Sequence, residues 1–144
     1  MVWPKLLKNL KVFKKIMQIL GIGVDIVSNL RIQKAIKKNS FVNRVFSKSE
    51  IYQSKKTQNK SNYFSKRFAA KEAFMKALGT GFRYNVNFKD ISVINNKEGK
   101  PELKITNNIK KLLINRLKVK KFNLFISLSD EKNYSIAFVV IQKK

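Results

Sequence analysis

A glutamate and a lysine, Glu72 and Lys71, lie within an unusually apolar stretch that runs from residue 64 to residue 78. On a helical wheel of 3.6 residues per turn, bulky apolar residues occupy one broad side of this segment and alanines occupy the other. Both charged side chains then lie between or within packing surfaces, where an unpaired charge is unfavourable. Each therefore needs a fixed partner, which could be a metal ion, a phosphate or an opposite charge. A buried ion pair between a basic residue and a glutamate is the alternative without a functional role.

The turn after this segment, Gly79-Thr80-Gly81, has a composition that lets a ligand approach. Glycine tolerates positive φ and ends a helix readily, and its missing side chain leaves the backbone accessible. A single Gly-x-Gly sequence is also typical of an ordinary helix end, so both interpretations stay open at this point.

Residues 19–27 have the pattern of a β-strand with two different faces. One row consists of aliphatic side chains, and the opposite row holds Gly21, Gly23 and Asp25. Two glycines in a strand usually mark a close approach by another backbone or a ligand, and the alanine side of the 64–78 helix could fill that space. We therefore predict that the strand meets this helix and brings Asp25 and Glu72 together around a hard divalent cation such as Mg²⁺. Without a cation, the two like charges would repel each other and raise a pKa.

Five short motifs occur in a fixed order along the chain. They are Gly-Ile-Gly-Val-Asp-Ile at residues 21–26, Arg-Phe-Ala-Ala-Lys-Glu-Ala at 67–73, Lys-Ala-Leu-Gly-Thr-Gly at 76–81, Phe-Lys-Asp-Ile at 88–91 and Gly-Lys-Pro at 99–101. In this order the chain resembles the holo-acyl-carrier-protein synthases, the small bacterial members of the 4'-phosphopantetheinyl transferase superfamily. The resemblance runs from about residue 17 to residue 142.

The resemblance implies an enzyme that transfers the 4'-phosphopantetheine group from coenzyme A to a serine of apo acyl carrier protein, in support of fatty acid biosynthesis. The other product is adenosine 3',5'-bisphosphate, and the reaction depends on Mg²⁺. By this resemblance, Asp25 and Glu72 correspond to the two metal-binding carboxylates, and Asp25, Glu72 and Lys76 are the expected catalytic residues.

Further residues of the same motifs are assigned to ligands by the resemblance. Lys76 and the turn Gly79, Thr80 and Gly81 correspond to the region that holds the coenzyme A phosphates, and Arg67 and Lys71 match other positions of that helix motif. Two basic residues, Arg31 and Arg44, fall where the family receives the acidic carrier protein.

These residue types suit the chemistry. Splitting a pyrophosphate places negative charge on the bridging and leaving oxygens, and a metal ion held by two carboxylates neutralises that charge. A nearby lysine adds fixed positive potential. The attacking group is the serine of the carrier protein, so the enzyme needs no nucleophile of its own, and the serine proton could pass to a metal-bound water or a nearby carboxylate.

Two positions differ from the pattern of many relatives. Ser28 stands where many relatives carry an acidic residue three positions after the strand aspartate, and Asp130 stands where some carry a histidine. A histidine is therefore not essential in this chain. We expect Asp130 to be a hairpin residue, and a position in the lining of the site is the alternative.

Composition limits the possible chemistry. The chain has 144 residues, and we assign residues 17–144 to a single phosphopantetheinyl transferase domain. With no cysteine and no histidine, the chain cannot form zinc-finger spacings, thiol sites or histidine-based triads. Hard-metal or acid–base chemistry must use one of eight acidic residues, of which we expect only Asp25 and Glu72 to lie in packed elements.

A formal net charge of +24 favours polyanionic partners. Nucleic acid is one such partner, but the basic residues are spread along the chain and match no zinc finger, RNA-recognition or basic-zipper signature. Coenzyme A and acyl carrier proteins are also anionic, so we expect no specific nucleic-acid binding. A basic nucleic-acid-binding module and a catalytically inactive protein of the same fold are the two alternative functions.

Residues 1–16 lie outside the resemblance. Leu6, Leu10, Phe13 and Met17 are spaced four, three and four residues apart among lysines, which is typical of a short basic amphipathic helix. Such a helix could touch an anionic membrane surface, but its apolar positions are too few for stable membrane insertion. The alternatives are a disordered extension or translation that begins at Met17. We expect a cytoplasmic protein.

The remaining pattern predicts an α+β fold, in which a small antiparallel sheet packs on the central helix. Residues 29–39, 47–56 and 109–117 are predicted helices, with a capping box at Ser47 and Glu50 and a linker over 57–62. Residues 91–95 and 102–106 are predicted strands, and 122–128 and 134–140 form a predicted hairpin. The resemblance implies a homotrimer with active sites between subunits.

Overall fold

Two antiparallel sheets and one long helix organise residues 17–144, the part of the chain that the computed structural model describes. Strands β1 (Ile19–Ser28), β4 (Phe122–Asp130) and β5 (Tyr134–Lys143) form a sheet in the order β1-β5-β4, and β2 (Ile91–Asn95) pairs with β3 (Pro101–Ile105). The helices are α1 (Asn29–Ala35), α2 (Asn39–Val45), α3 (Lys48–Ser54), α4 (Lys60–Leu78) and α5 (Asn107–Leu117). The α+β class is confirmed, but the strands form two sheets rather than the single sheet expected.

Strand β1 packs directly on the alanine side of α4. A Cβ atom added at Gly21 would lie 2.0 Å from the carbonyl oxygen of Ala77, and one added at Gly23 would lie 2.0 Å from the carbonyl oxygen of Ala73. Any side chain at either position would therefore collide with the helix backbone. The predicted contact between the glycine row of the strand and the alanines of the helix is confirmed.

The three-stranded sheet has one buried face and one exposed face. In β5, Ala137, Val139 and Ile141 are fully buried and pair in register with Leu128, Ile126 and Leu124 of β4. The bulkier alternate row of β5 lies on the other face, beside the aliphatic row of β1. The exposed apolar side chains on this second face of the sheet include Ile22, Val24, Ile26, Ile136 and Phe138.

The largest differences from the predicted helix boundaries concern α1, α2 and α4. The segment predicted as one helix over 29–39 ends at the C-cap Ile36, and Lys38 adopts an extended conformation, so α2 begins as a separate helix that the sequence pattern did not indicate. Helix α4 begins at Lys60 within the predicted linker, because the Asn59 side chain accepts a hydrogen bond from the Asn62 amide and caps the helix. The capping box of α3 at Ser47 and Glu50 is confirmed.

Among residues 17–144, no helix combines the length and the apolarity that a membrane crossing requires.

Candidate active site

Asp25 and Lys76 form an ion pair where β1 crosses α4. Asp25 is on the glycine row of β1, so it faces the helix, and its Oδ1 lies 2.8 Å from Lys76 Nζ. The same ammonium donates to the carbonyl oxygen of Val24 at 3.0 Å. The Lys76 side chain is 55% exposed and the Asp25 side chain 16%, so this pair lies at the surface. An approaching ligand can therefore reach the ammonium.

Glu72 lies one helical turn before Lys76 on α4 and so shares its face of the helix. Partial burial raises the pKa of the Glu72 carboxyl, and the negative charge of Asp25 raises it further. The cations Lys76 and Arg31 act in the opposite direction. The structure thus brings Asp25, Glu72 and Lys76 together, with Arg31 close enough to influence Glu72.

This donor set fits a magnesium ion. Within residues 17–144, no group of three or more aspartate, glutamate, histidine or cysteine side chains could hold a metal on its own. Mg²⁺ does not need such a cage, because it retains several waters and typically binds through one or two carboxylates plus substrate phosphates. The like-charge repulsion that raises the pKa of Glu72 is also what a cation between the two carboxylates would relieve.

The turn after α4 has an open backbone. Gly79 is left-handed, with φ of 75°, and its N–H donates to the carbonyl oxygens of Met75 and Lys76. Gly81 also has a positive φ of 58°, and a Cβ atom built there would meet no atom within 4 Å. The turn ends the helix as predicted and leaves room above Gly81.

The surroundings of Lys71 correct one expectation. Its ammonium is fully buried and donates to Glu50 Oε2 at 2.8 Å, to the carbonyl oxygen of Phe88 at 3.1 Å and to that of Ile91. These bonds use all three donors of the ammonium, so the predicted contact of Lys71 with coenzyme A is wrong and the buried ion pair is the correct alternative. Burial lowers the pKa of Lys71, and the charge of Glu50 opposes that shift.

Glu50 is a buried acid that sequence reasoning had assigned only to a helix cap. Its Oε2 accepts from the Ser47 amide at 2.8 Å, as a capping box requires, and its Oε1 accepts from the Val93 amide at 2.9 Å. The expectation that only Asp25 and Glu72 lie in packed elements is therefore wrong. The capping signal was visible in the sequence, but the contact with β2 was not.

Arg67 lies in a groove on a different side of α4. The guanidinium stacks on the Tyr63 ring at 3.4 Å from the centroid and donates to Asn95 Oδ1 at 3.1 Å. The residue is only 4% exposed, and its Nε has no partner among the residues the structure describes. The groove has a volume of about 730 Å³, and Gly99 and Pro101 form part of its wall.

Asp130 lines the same groove and accepts hydrogen bonds from two neighbouring side chains. Its carboxylate accepts from Lys66 Nζ at 2.7 Å and from Asn62 Nδ2 at 2.8 Å. The hydrogen bond from Lys66 is the main reason that the pKa of Asp130 is lowered. Asp130 ends β4 at the hairpin, as predicted, and also faces the Arg67 groove.

Arg31 and Arg44 line a common groove between α1 and α2. This groove has a volume of about 670 Å³, and Lys34, Lys38 and Phe41 also contribute to it. The Arg31 guanidinium lies 5.8 Å from the centroid of the Phe68 ring. The two arginines that the resemblance assigned to one surface are thus neighbours, and Arg31 connects that surface to Glu72.

Comparison with known proteins agrees with this geometry. The family model of the 4'-phosphopantetheinyl transferase superfamily matches residues 21–139. The holo-[acyl-carrier-protein] synthase of Pelagibacter ubique (strain HTCC1062) is 61% identical over 128 residues, which cover 89% of this chain and 100% of that protein. The synthase of Ehrlichia chaffeensis (strain Arkansas) is 48% identical over 129 residues, covering 85% of this chain and 96% of the other.

Solved structures show the same similarity. The holo-[acyl-carrier-protein] synthase from Neisseria meningitidis has a TM-score of 0.78 and 38% identity, covering 88% of this chain and 100% of that one. The synthase from Bacillus anthracis, in complex with CoA (3',5'-ADP), has a TM-score of 0.73 and 32% identity, covering 89% and 99%. The chain belongs to the 4'-phosphopantetheinyl transferase superfamily. Within that superfamily it is similar to the holo-[acyl-carrier-protein] synthases, so the resemblance read from the five motifs is confirmed.

Proposed function

We propose that this protein is a Mg²⁺-dependent holo-[acyl-carrier-protein] synthase. It transfers 4'-phosphopantetheine from coenzyme A to a serine of apo acyl carrier protein, releases adenosine 3',5'-bisphosphate and thereby supports fatty acid biosynthesis. The observation that carries this proposal is the convergence of Asp25, Glu72 and Lys76 where β1 meets α4, in a chain that belongs to the transferase superfamily. The resemblance also implies a cytoplasmic location.

Each residue of this cluster has a distinct role in the proposal. Asp25 and Glu72 would hold the Mg²⁺, which when bound supplies positive charge for the pyrophosphate oxygens. Asp25 also fixes the Lys76 ammonium in place through the 2.8 Å ion pair, and the exposed side of that ammonium faces the approaching phosphates. Because the acceptor serine is the nucleophile, these residues only need to position charge and accept a proton.

The Arg67 groove also fits a phosphate-bearing ligand. The nearly buried Arg67 guanidinium is a fixed positive charge beside this groove, and Lys56 and Lys66 add positive charge nearby. Arg67 and Glu72 are five residues apart on α4, which separates them by about 140° around the helix axis. Within one chain, Arg67 and Glu72 therefore point to different sides of α4.

We infer from this separation, together with the family resemblance that implies a homotrimer, that the enzyme is a homotrimer with active sites between subunits. One subunit would supply Asp25, Glu72, Lys76 and the Gly79–Gly81 turn, and its neighbour would supply Arg67. The exposed apolar face of the three-stranded sheet supports an assembly, since Ile22 is 61% and Ile26 is 62% exposed.

Complementation between variants tests the shared site. Arg67→Gln and Glu72→Gln subunits, each of low activity alone, should regain activity when they are mixed under conditions that exchange subunits. Mixed trimers then contain some sites with both natural halves. No gain on mixing, or constant activity per subunit well below the dissociation concentration of the oligomer, would contradict shared sites.

The groove that Arg31 and Arg44 line is the proposed docking site for the carrier protein. Four basic residues line it, and Arg31 lies near Glu72, so an acidic carrier bound there would present its serine close to the metal-binding carboxylates. Charge complementarity of this kind mainly raises the association rate and weakens with salt.

The experiment that tests the function is intact-mass analysis of an apo acyl carrier protein after incubation with this protein, coenzyme A and Mg²⁺. We expect the carrier to gain one phosphopantetheine, and we expect a chelator to prevent the gain. The Asp25→Asn variant should lose the activity, whereas the control Glu98→Gln, which removes an exposed loop carboxylate, should keep it. No transfer to a carrier that a known synthase modifies would contradict the proposal and favour the nucleic-acid-binding or inactive alternatives.

A further inference from the structure

The turn proposed to hold the coenzyme A phosphates lies at the electrostatically unfavourable end of its helix. The last carbonyl groups of an α-helix point beyond its C-terminus and carry about half a negative charge in sum. Anions are therefore favoured at helix N-termini and opposed at C-termini. Gly79, Thr80 and Gly81 directly follow the C-terminus of α4. A phosphate at this turn needs cations that cancel the field of the carbonyls.

Lys76 is one such cation, but its ammonium is already directed toward β1. It donates to Asp25 at 2.8 Å and to the carbonyl oxygen of Val24 at 3.0 Å. At a rise of 1.5 Å per residue, Lys76 is about 6 Å along α4 from Glu72, and Gly79 is about 10 Å from it. Lys76 therefore covers the part of the site near the carboxylates and leaves the turn itself without a cation from α4.

Arg116, in the last turn of α5, supplies a cation at the turn. Its Nε donates to the carbonyl oxygen of Leu78 at 3.0 Å, and its Nη2 donates to the carbonyl oxygen of Gly79 at 2.9 Å. The guanidinium is thus fixed on the terminal carbonyls of α4. Leu113, which is fully buried on α5, and the buried Val119 just after that helix anchor this segment to the core.

The fixed guanidinium still has donors to offer. Arginine carries five N–H groups, and the two bonds to the carbonyls leave Nη1 and one N–H of Nη2 without a partner among the residues the structure describes. Arg116 is an exposed residue, so these N–H groups are accessible from the solvent side of the turn. The Gly81 side of the same turn is open.

We propose that Arg116 is a further phosphate-binding residue for coenzyme A. It cancels the negative end of α4 at Leu78 and Gly79, and it directs its remaining N–H groups at the phosphate-rich end of the ligand that lies over Gly79–Gly81. Lys76 and Arg116 then form a line of two cations along α4, one beside the metal-binding carboxylates and one at the turn. This inference rests on the proposed function, because that function identifies the ligand.

A set of three variants separates ligand binding from helix capping. Arg116→Gln removes the charge but keeps an amide that can donate to the α4 carbonyls, and Arg116→Lys keeps the charge but loses the planar fork. Lys111→Gln removes one charge from an exposed position of the same helix and is the control for net charge. The readouts are the KM for coenzyme A, the KM for the carrier protein, and calorimetric titration with adenosine 3',5'-bisphosphate.

We expect Arg116→Gln to raise the KM for coenzyme A by about tenfold to a hundredfold, which is the usual effect of losing a charged hydrogen bond. The affinity for adenosine 3',5'-bisphosphate should fall in parallel, and the KM for the carrier protein should stay within about twofold. Arg116→Lys should recover part of the affinity because charge is retained, and Lys111→Gln should resemble the natural protein.

Two outcomes would overturn the inference. In the first, Arg116→Gln leaves the KM for coenzyme A and the bisphosphate affinity unchanged while the melting temperature falls, which would make Arg116 a helix cap only. In the second, Lys111→Gln has the same effect as Arg116→Gln, which would make the effect one of general charge. The bisphosphate titration does not require turnover, so loss of binding in Arg116→Gln would support the inference even if the natural chain transferred nothing to the carrier.

Discussion

Two of the three lysine–carboxylate pairs on helix α4 have the same N–O distance, but one is buried and the other lies at the surface. Lys71 Nζ lies 2.8 Å from Glu50 with both side chains fully buried, and Lys76 Nζ lies 2.8 Å from Asp25 with side chains 55% and 16% exposed. The buried ammonium uses all its donors within the protein, whereas the exposed one can still reach a ligand. The distance between the charges therefore does not tell a structural pair from a functional one, but burial and remaining donor capacity do.

The different surroundings follow from helix geometry. Residues 71 and 76 are five positions apart and so point about 140° away from each other. One direction leads to α3 and β2, where Glu50 and the carbonyl oxygens of Phe88 and Ile91 surround the ammonium. The other leads to the edge of β1, which can come close because Gly23 lacks a side chain.

The largest effect should come from breaking the buried pair. Lys71→Met leaves the Glu50 carboxylate buried without its cation, and we expect the free energy of unfolding to fall by about 3–5 kcal/mol. Equilibrium urea denaturation measures this change. The double variant Lys71→Met with Glu50→Gln should recover part of the loss, because the uncompensated charge is then absent. A loss below about 1 kcal/mol in the single variant would contradict a structural role for the pair.

Removing the carboxylate of Asp25 or Glu72 should instead affect activity and leave stability almost unchanged. We expect Asp25→Asn and Glu72→Gln each to lower the transfer rate by about a hundredfold to a thousandfold, as removal of preorganised charge stabilisation usually does. The free energy of unfolding should change little. Steady-state transfer assays and urea denaturation on the same preparations give both numbers.

The pH dependence of Glu72 sharpens this test. Its folded-state pKa is raised, so the folded protein binds that proton more tightly than the unfolded chain does. This carboxyl therefore makes stability decline as pH rises from the usual glutamate pKa through the raised folded value, and Glu72→Gln should remove that decline. A Glu72→Gln variant that loses stability as severely as activity would contradict a functional role for this residue.

An intermediate effect should come from the glycine that lets β1 approach α4. In Gly23→Ala the new methyl group would lie 2.0 Å from the Ala73 carbonyl oxygen, so the strand must move away from the helix. We expect a loss of about 1–3 kcal/mol of stability, the usual cost of overpacking. Transfer activity should fall as well, because Asp25 moves with the strand while Lys76 stays on the helix. Thermal unfolding and the transfer assay measure the two losses.

The matched control is Gly99→Ala, at a loop glycine where an added Cβ meets no atom within 4 Å. It also has a positive φ of 84°, so it reports backbone strain without a collision. The readout of this control is stability alone, because Gly99 also lines the Arg67 groove. If Gly99→Ala lowered stability as much as Gly23→Ala, the close approach of β1 would not be the cause.

The contact of β1 with α4 could be predicted from the sequence because it depends on residues that lack side chains. Two glycines in one row of a strand usually mark a close approach by another backbone or a ligand. The alanine side of the 64–78 helix offers a surface that can approach in this way. The pairing of Lys71 with Glu50 could not be predicted in the same way. Glu50 already had a sufficient local explanation as a capping-box residue, and its contact with the Val93 amide depends on how β2 packs.

Other features were missed for related reasons. The division of the predicted 29–39 helix into α1 and α2 depends on the extended conformation of Lys38, for which the local sequence carries no glycine or proline signal. Arg116 belongs to none of the five motifs, and its role at the end of α4 depends on the packing of α5. Local patterns thus predicted the elements, while contacts between distant elements required the structure.

The smallest effect should come from a third lysine–carboxylate pair, which has the shortest distance of the three. Lys66 Nζ lies 2.7 Å from Asp130 Oδ1, with side chains 28% and 29% exposed. Lys66→Met should lower the free energy of unfolding by no more than about 1 kcal/mol, because partly exposed pairs are screened by solvent. The folded-state pKa of Asp130 is lowered, so its contribution is present above the usual aspartate pKa and is lost as pH falls through the folded value. Urea denaturation of the natural chain and Lys66→Met at neutral and acidic pH should therefore give a small difference that disappears in acid. A cost equal to that of Lys71→Met would mean that distance, rather than burial, governs these pairs.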